Sequence, residues 1–188
     1  MSLITVVACN QFISVMSDGR IVDRFNNIED ENFNKIKSYE DNLFFSAWGS
    51  KAIFDDVAMT LDQKYKTLNK SDYVDEASKI ILRTANKIIY QNHPFILLWG
   101  GRSKGILKIC QLRTPKKQLE SLELISNDCI SAIGSNKPYA FKYIESELSD
   151  MYIPNLDKVI EAQKNTIEHV ATMDDTVNNV IFSKVFIS

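Results

Sequence analysis

The chain has 188 residues, a formal charge of −2, 45% hydrophobic and 24% charged residues, which are the proportions of an ordinary globular protein with one sizeable core. No Lys/Arg cluster with interleaved aromatics gives it the electrostatic footprint of a nucleic-acid binder, and Lys116-Lys117 reads as a solvated turn. No apolar run reaches membrane-spanning length, and the N-terminus has no basic segment before its apolar one, so neither a membrane nor a signal peptide is expected and the location read is cytoplasmic.

Cys9, Cys110 and Cys129 are odd in number, far apart and flanked by apolar residues. They read as buried thiols rather than a zinc site or a disulfide framework, so no metal or other cofactor is expected.

In chain order, Leu3 to Cys9 and Phe12 to Met16 are β-branched apolar runs separated by Asn10-Gln11, which predicts a hairpin. Ser17-Asp18-Gly19-Arg20 has turn chemistry, and residues 20–34 are polar enough for an exposed loop or weak strands. Lys35 to Tyr39 and Leu43 to Trp48 form a second hairpin about Glu40-Asp41-Asn42. Helical spacing of Ile53, Val57 and Leu61 predicts one helix, and Val74, Ala77, Ile81, Ala85 and Ile88 predict another, capped by Ser71-Asp72.

After Pro94 the order repeats: strand Phe95 to Trp99, a turn at Gly100-Gly101, strand Ile106 to Leu112, a polar link through Pro115, and strand Ile130 to Ile133. Helices follow with Tyr139, Ile144 and Leu148, then with Val159, Gln163, Ile167 and Val170 behind Pro154-Asn155, before a closing strand Val180 to Ile187. No linker divides residues 1–188, so one domain is expected. Blocks of strands alternating with paired helices suit an α+β fold: two stacked antiparallel sheets, with the helix pairs 50–91 and 136–173 on opposite outer faces.

Four segments carry a resemblance. Ser2-Leu3-Ile4-Thr5-Val6-Val7 with Ser17-Asp18-Gly19-Arg20, then Asn34-Lys35-Ile36, then Asn42 to Gly49, and Ala132-Ile133-Gly134-Ser135-Asn136-Lys137-Pro138-Tyr139-Ala140 resemble, in order, the motifs of the proteasome β-subunit and HslV-like family of N-terminal-nucleophile (Ntn) hydrolases. The resemblance spans nearly the whole chain and implies that family's four-layer α/β/β/α sandwich. It also implies the site. Ser2 stands where the family has its catalytic threonine, Lys35 where it has the active-site lysine, and Gly49 near the turn whose N–H meets the oxyanion. Ser135 matches a serine near the nucleophile. Asp175 matches the aspartate of an Asp-x-x-Ser-Gly-Gly segment, although Asn178 replaces the serine and the glycines are missing.

The chemistry that the resemblance implies uses the Ser2 hydroxyl as nucleophile and its own α-amine as base, an amine whose ordinary pKa of about 8 lies near working pH. Met1 must first be removed, because an amide nitrogen at Ser2 has no basic lone pair. A Lys35 ammonium held by Asp18 would lower the proton affinity of the nucleophile. Ser2, Asp18, Lys35 and Ser135 are therefore expected to converge at one end of the sheets.

Peptides or small amides are the expected substrates, a homo-oligomer the expected assembly, and an ATPase unfoldase a partner to test. Two alternatives stay open: a non-catalytic protein of the same fold with a binding or assembly role, and a small-molecule amidase. His93 and His169 have no motif tying them to a nucleophile or metal and read as helix-end and surface residues. Gly100-Gly101-Arg102 lacks the spacing of a phosphate loop, and Phe44, Phe45 and Trp48 read as core.

Overall fold

The computed structural model describes residues 3–69, 71–87, 94–114, 118–124, 129–134, 136–149 and 155–188. Strand β1 (Leu3–Ala8) pairs with β2 (Phe12–Asp18) on one side and β10 (Cys129–Gly134) on the other, and β11 (Ile181–Ile187) adds beyond β2. A larger sheet has the order β5 (Ile36–Tyr39), β6 (Leu43–Trp48), β7 (Ile96–Ser103), β8 (Ile106–Arg113), β9 (Gln118–Leu124). A short hairpin, β3 (Ile21–Val22) with β4 (Ile28–Asp30), stands apart from both. Every pairing is antiparallel. The central place of β1 and its antiparallel partner β2 follow the sequence reading.

Because side chains alternate across a strand, these runs bury two faces at once. Ile4, Val6, Ile13 and Val15 of the smaller sheet meet Phe44 and Leu98 of the larger one in a shared cluster. The opposite face of β1 and β2, carrying Leu3, Val7, Phe12 and Met16, packs against helices α3 (Lys137–Leu148) and α4 (Leu156–Ala171). On the larger sheet, Leu43, Phe45, Leu97 and Trp99 pack against α1 (Lys51–Lys64) and α2 (Tyr73–Ala85). Full burial of each such side chain contributes roughly 1.5–3 kcal/mol, which is why continuous apolar runs rather than half-polar ones fill the central strands.

Local chemistry explains the ends of the helices. Asn155 caps α4 by accepting from the amides of Asp157 and Lys158, as its position predicts. Asp72 occupies the first position before α2, but its carboxylate accepts from the Ser103 hydroxyl instead of the helix amides.

Three expectations are corrected. Gly100-Gly101 is not a turn; both residues lie inside β7, and the hairpin turns at Lys104-Gly105, with φ of 52° and 79°. Such a two-residue turn demands positive φ at both positions. The glycines serve close approach: a Cβ on Gly101 would lie 1.9 Å from the Asn42 carbonyl oxygen. The link after Leu112 contains a whole strand, β9, paired with β8 from Arg113↔Gln118 to Leu107↔Leu124. Ser17 and Asp18 belong to β2 rather than to the turn after it.

Cys9 and Cys110 are buried, and neither is in a disulfide. Phe44 and Phe45 are fully buried, whereas Trp48 is half-buried at the edge of the inter-sheet cluster. His169 is exposed on α4, in a cluster with Tyr139 and Tyr143 at ring distances of 5.4 and 5.5 Å. His93 and Lys116-Lys117 lie outside the described residues.

Candidate active site

Asp18 ends β2 with its carboxylate fully buried, a position that requires the charge to be matched. Oδ1 accepts from the Leu3 amide at 2.8 Å and from the Lys35 ammonium at 2.6 Å, and Oδ2 accepts from the Arg20 amide at 2.9 Å. One carboxylate thus ties together the start of β1, the segment after β2 and the residue before β5.

Lys35 is fixed from its own side as well. Asn34 accepts from the Ile36 amide at 2.9 Å, and the Ser46 hydroxyl donates to the Lys35 carbonyl at 2.6 Å. The lysine side chain is only 3% exposed. Burial pulls the Lys35 pKa down to about 8, against the pull of Asp18 in the other direction, and the Arg20 charge adds to the lowering. The ammonium consequently gives up its proton more readily than an ordinary lysine.

A cavity of about 400 Å³ opens beside this pair. Lys35, Gly49, Ala47, Phe33 and Phe54 line it, together with the hairpin β3–β4. Gly49 has φ of +109°, and a Cβ there would lie 2.6 Å from the Pro94 carbonyl oxygen, so both conformation and space call for glycine.

Around the pair runs a second set of bonds that sequence reading did not identify. The Asn178 side chain accepts from the Gly19 amide at 2.9 Å and donates to the Glu31 carbonyl at 2.9 Å and to its carboxylate at 2.6 Å. Arg20 makes a two-pronged contact with Glu31 at 3.0 and 3.1 Å and donates to the Asp175 carbonyl. Nothing in the local sequence marks Glu31, a polar residue in a polar stretch, and Asn178 is marked only as the residue that replaces the family's serine.

The predicted site residues fare differently. Asp18 and Lys35 are in direct contact, and Gly49 shares the cavity with Lys35. Asp175 is exposed and contributes its backbone carbonyl, while the neighbouring Asp174 carboxylate accepts from the Asn136 side chain at 3.1 Å and from Thr176. Ser2 and Ser135 lie outside the described residues. Their chain neighbours are register partners, Leu3 with Gly134 across β1 and β10. Among the described residues no group of three or more His, Cys, Asp or Glu side chains could hold a metal ion.

No protein-family model matches the chain, and neither does any curated protein. Solved structures do. HslV from Trypanosoma brucei is 14% identical with a TM-score of 0.71, and the match covers 99% of each chain. Anbu, an ancestral beta-subunit, from Yersinia bercovieri is 15% identical with a TM-score of 0.75, over 98% of this chain and 81% of that one. A Gly-1 mutant of Anbu from Hyphomicrobium sp. strain MC1 is 12% identical with a TM-score of 0.75, over 100% and 82%. The fold is proteasome-like: α+β, with antiparallel sheets and, among the described residues, four α-helices.

Proposed function

We propose that this chain is a single-domain Ntn hydrolase of the four-layer α/β/β/α type, cleaving peptide or other amide bonds with Ser2 as nucleophile once Met1 is removed. The observation that carries this reading is the buried Asp18 carboxylate, which bonds at once to the Lys35 ammonium and to the amide of Leu3, the residue after Ser2, beside an open cavity. A structural ion pair needs neither the cavity nor the tie to the chain start.

In this reading the Ser2 amine takes the hydroxyl proton as Oγ attacks the substrate carbonyl, and the Gly49 amide steadies the oxyanion. The leaving amine departs with a proton, and water then frees the acyl group from Ser2. Lys35 favours the deprotonated nucleophile through its charge, with Asp18 holding it in place. Ser135 and Asp175 are assigned supporting roles near the nucleophile, as the resemblance implies. The protein would work in the cytoplasm as a homo-oligomer, and the likeness to HslV makes an ATPase unfoldase the partner to test.

The test is covalent. Protein carrying a free Ser2 is treated with a β-lactone, and the intact mass and N-terminal peptide are then examined. The expected result is one acyl adduct on Ser2; an unmodified Ser2 under conditions that label a control serine hydrolase contradicts the proposal. A second reading, a non-catalytic protein of this fold, is favoured by Asn178, which stands in the family's serine position and is fully engaged with Gly19 and Glu31.

A further inference from the structure

We propose that Asn178 is a positioning residue for the Asp18–Lys35 pair: its side-chain amide clamps together the two chain segments that carry the pair. The inference rests on the hydrolase reading above for its effect on turnover, while the clamp itself can be judged without turnover.

Asp18 ends β2 and Lys35 stands just before β5, so their contact depends on how the residues between them are led. Three segments meet at Gly19. A Cβ there would lie 2.9 Å from the Glu31 carbonyl oxygen and 3.0 Å from Val180, so the turn after β2 is pressed against the residues that follow β4 and those that precede β11. A backbone bond from the Phe33 amide to the Gly19 carbonyl, at 2.9 Å, joins the first two segments. Asn178 ties both of them to the third.

The junction uses the whole capacity of an amide. The Asn178 oxygen accepts from the Gly19 amide at 2.9 Å, and the nitrogen donates one proton to the Glu31 carbonyl at 2.9 Å and the other to the Glu31 carboxylate at 2.6 Å. Asn178 is 6% exposed, so water competes little for these groups. A serine, which the family has at this place, carries one proton and cannot serve both Glu31 oxygens, and an aspartate carries none. The replacement of serine by asparagine therefore makes a tie that serine cannot make.

Arg20 closes the circuit. Its amide donates to Asp18 Oδ2 at 2.9 Å, and its guanidinium grips the Glu31 carboxylate at 3.0 and 3.1 Å. From Asp18 the bonds run through Arg20, Glu31 and Asn178 and return to Gly19, the neighbour of Asp18. Lys35 reaches the same carboxylate through its other oxygen, so slack in this ring is slack in the separation of Asp18 from Lys35.

The experiment uses the full chain with a free Ser2 and reads two quantities: steady-state hydrolysis of a peptide probe, and the titration midpoint of Lys35 followed by NMR of its labelled Cε. Lys35 faces Asp18 and Arg20 at the junction and Asp23, Arg24, Glu29 and Lys51 across the cavity, and none of these charges changes in Asn178→Ser. A shifted midpoint in that variant thus reports position. Asn178→Ser should lower kcat about tenfold with KM unchanged, the scale of a small misplacement away from the reacting atoms. It should also raise the Lys35 midpoint from about 8 by about half a pH unit or more, as water reaches the ammonium. Asn178→Asp should be worse, because it sets one carboxylate against another, and Asn178→Asp with Glu31→Gln should recover most of the turnover by restoring one amide and one carboxylate to the contact. An unchanged Lys35 midpoint in Asn178→Ser, turnover equal to or above that of the natural chain, or a double variant no better than Asn178→Asp would each overturn the inference. Acylation of Ser2 judges the hydrolase reading separately, and the Lys35 midpoint judges the clamp even in a chain that hydrolyses nothing.

Discussion

Two ion pairs share the short stretch from Asp18 to Lys35, and their surroundings separate what they do. Asp18–Lys35 has side-chain exposures of 0% and 3%, while Arg20–Glu31 has 20% and 42%. The second has the better geometry, a two-pronged guanidinium contact, yet water screens it and competes for it. The first has a single bond, but neither charge has an alternative partner in solvent. Burial, rather than the number of contacts, makes the first pair indispensable and leaves the second a brace.

The comparison is tested most severely by removing one buried charge. Asp18→Asn leaves the Lys35 ammonium enclosed without a counter-charge and should destabilise the fold by about 3–5 kcal/mol in urea unfolding. Adding Lys35→Met should recover most of that loss, because the enclosed charge is then gone; no recovery would mean that Asp18 acts through the Leu3 and Arg20 amides instead. Lys35→Ala should also lower turnover by roughly a hundredfold or more if the ammonium supports the nucleophile electrostatically. Unchanged turnover in a folded variant would reduce Lys35 to a structural role.

Asn178→Ala removes bonds to Gly19 and Glu31 at the boundary between the two pairs and should cost about 1–3 kcal/mol. Glu31→Gln removes the charge of the screened pair while leaving one side-chain oxygen to accept from Asn178 or Arg20, and should cost about 1 kcal/mol or less. If Glu31→Gln proved as damaging as Asp18→Asn, exposure would not be what distinguishes them.

pH sharpens the same contrast. The folded Lys35 pKa of about 8 lies below its ordinary value of 10.5, so between the two the unfolded chain binds more protons. The Lys35 contribution to stability should rise from pH 8 towards 10.5 and fall away as pH drops through 8. Urea unfolding at pH 7.5 and 9.5 should show this rise in the natural chain and lose it in Lys35→Met. Activity should respond in the opposite direction, since the charged form of Lys35 is the supporting one: above pH 8 turnover should decline.

Much of the fold was legible in the sequence because both faces of the central strands are buried. Leu3 to Ala8 and Leu43 to Ala47 leave little choice but strand, and the periodic residues of α1, α2 and α4 mark their buried faces. β9 was hidden because Gln118-Leu119-Glu120-Ser121 follows a proline and two lysines and pairs on one side only, at a sheet edge. Gly100-Gly101 misled for a different reason: glycine signals either positive φ in a turn or close backbone approach, and sequence does not say which. In the site, Asp18 and Lys35 were legible through ordered motifs. Glu31 was not, and Asn178 was marked only as a departure from the family's serine, because the bond between them spans 147 positions.

The most direct measurement compares two termini of the same chain. Protein ending in Met1 and protein ending in Ser2 are prepared separately, confirmed by mass, and assayed against peptide, ester and small amide probes. The account predicts hydrolysis by the Ser2 form, silence from the Met1 form, whose would-be base is an amide, and silence from Ser2→Ala. Equal activity of the Met1 and Ser2 forms would contradict the mechanism.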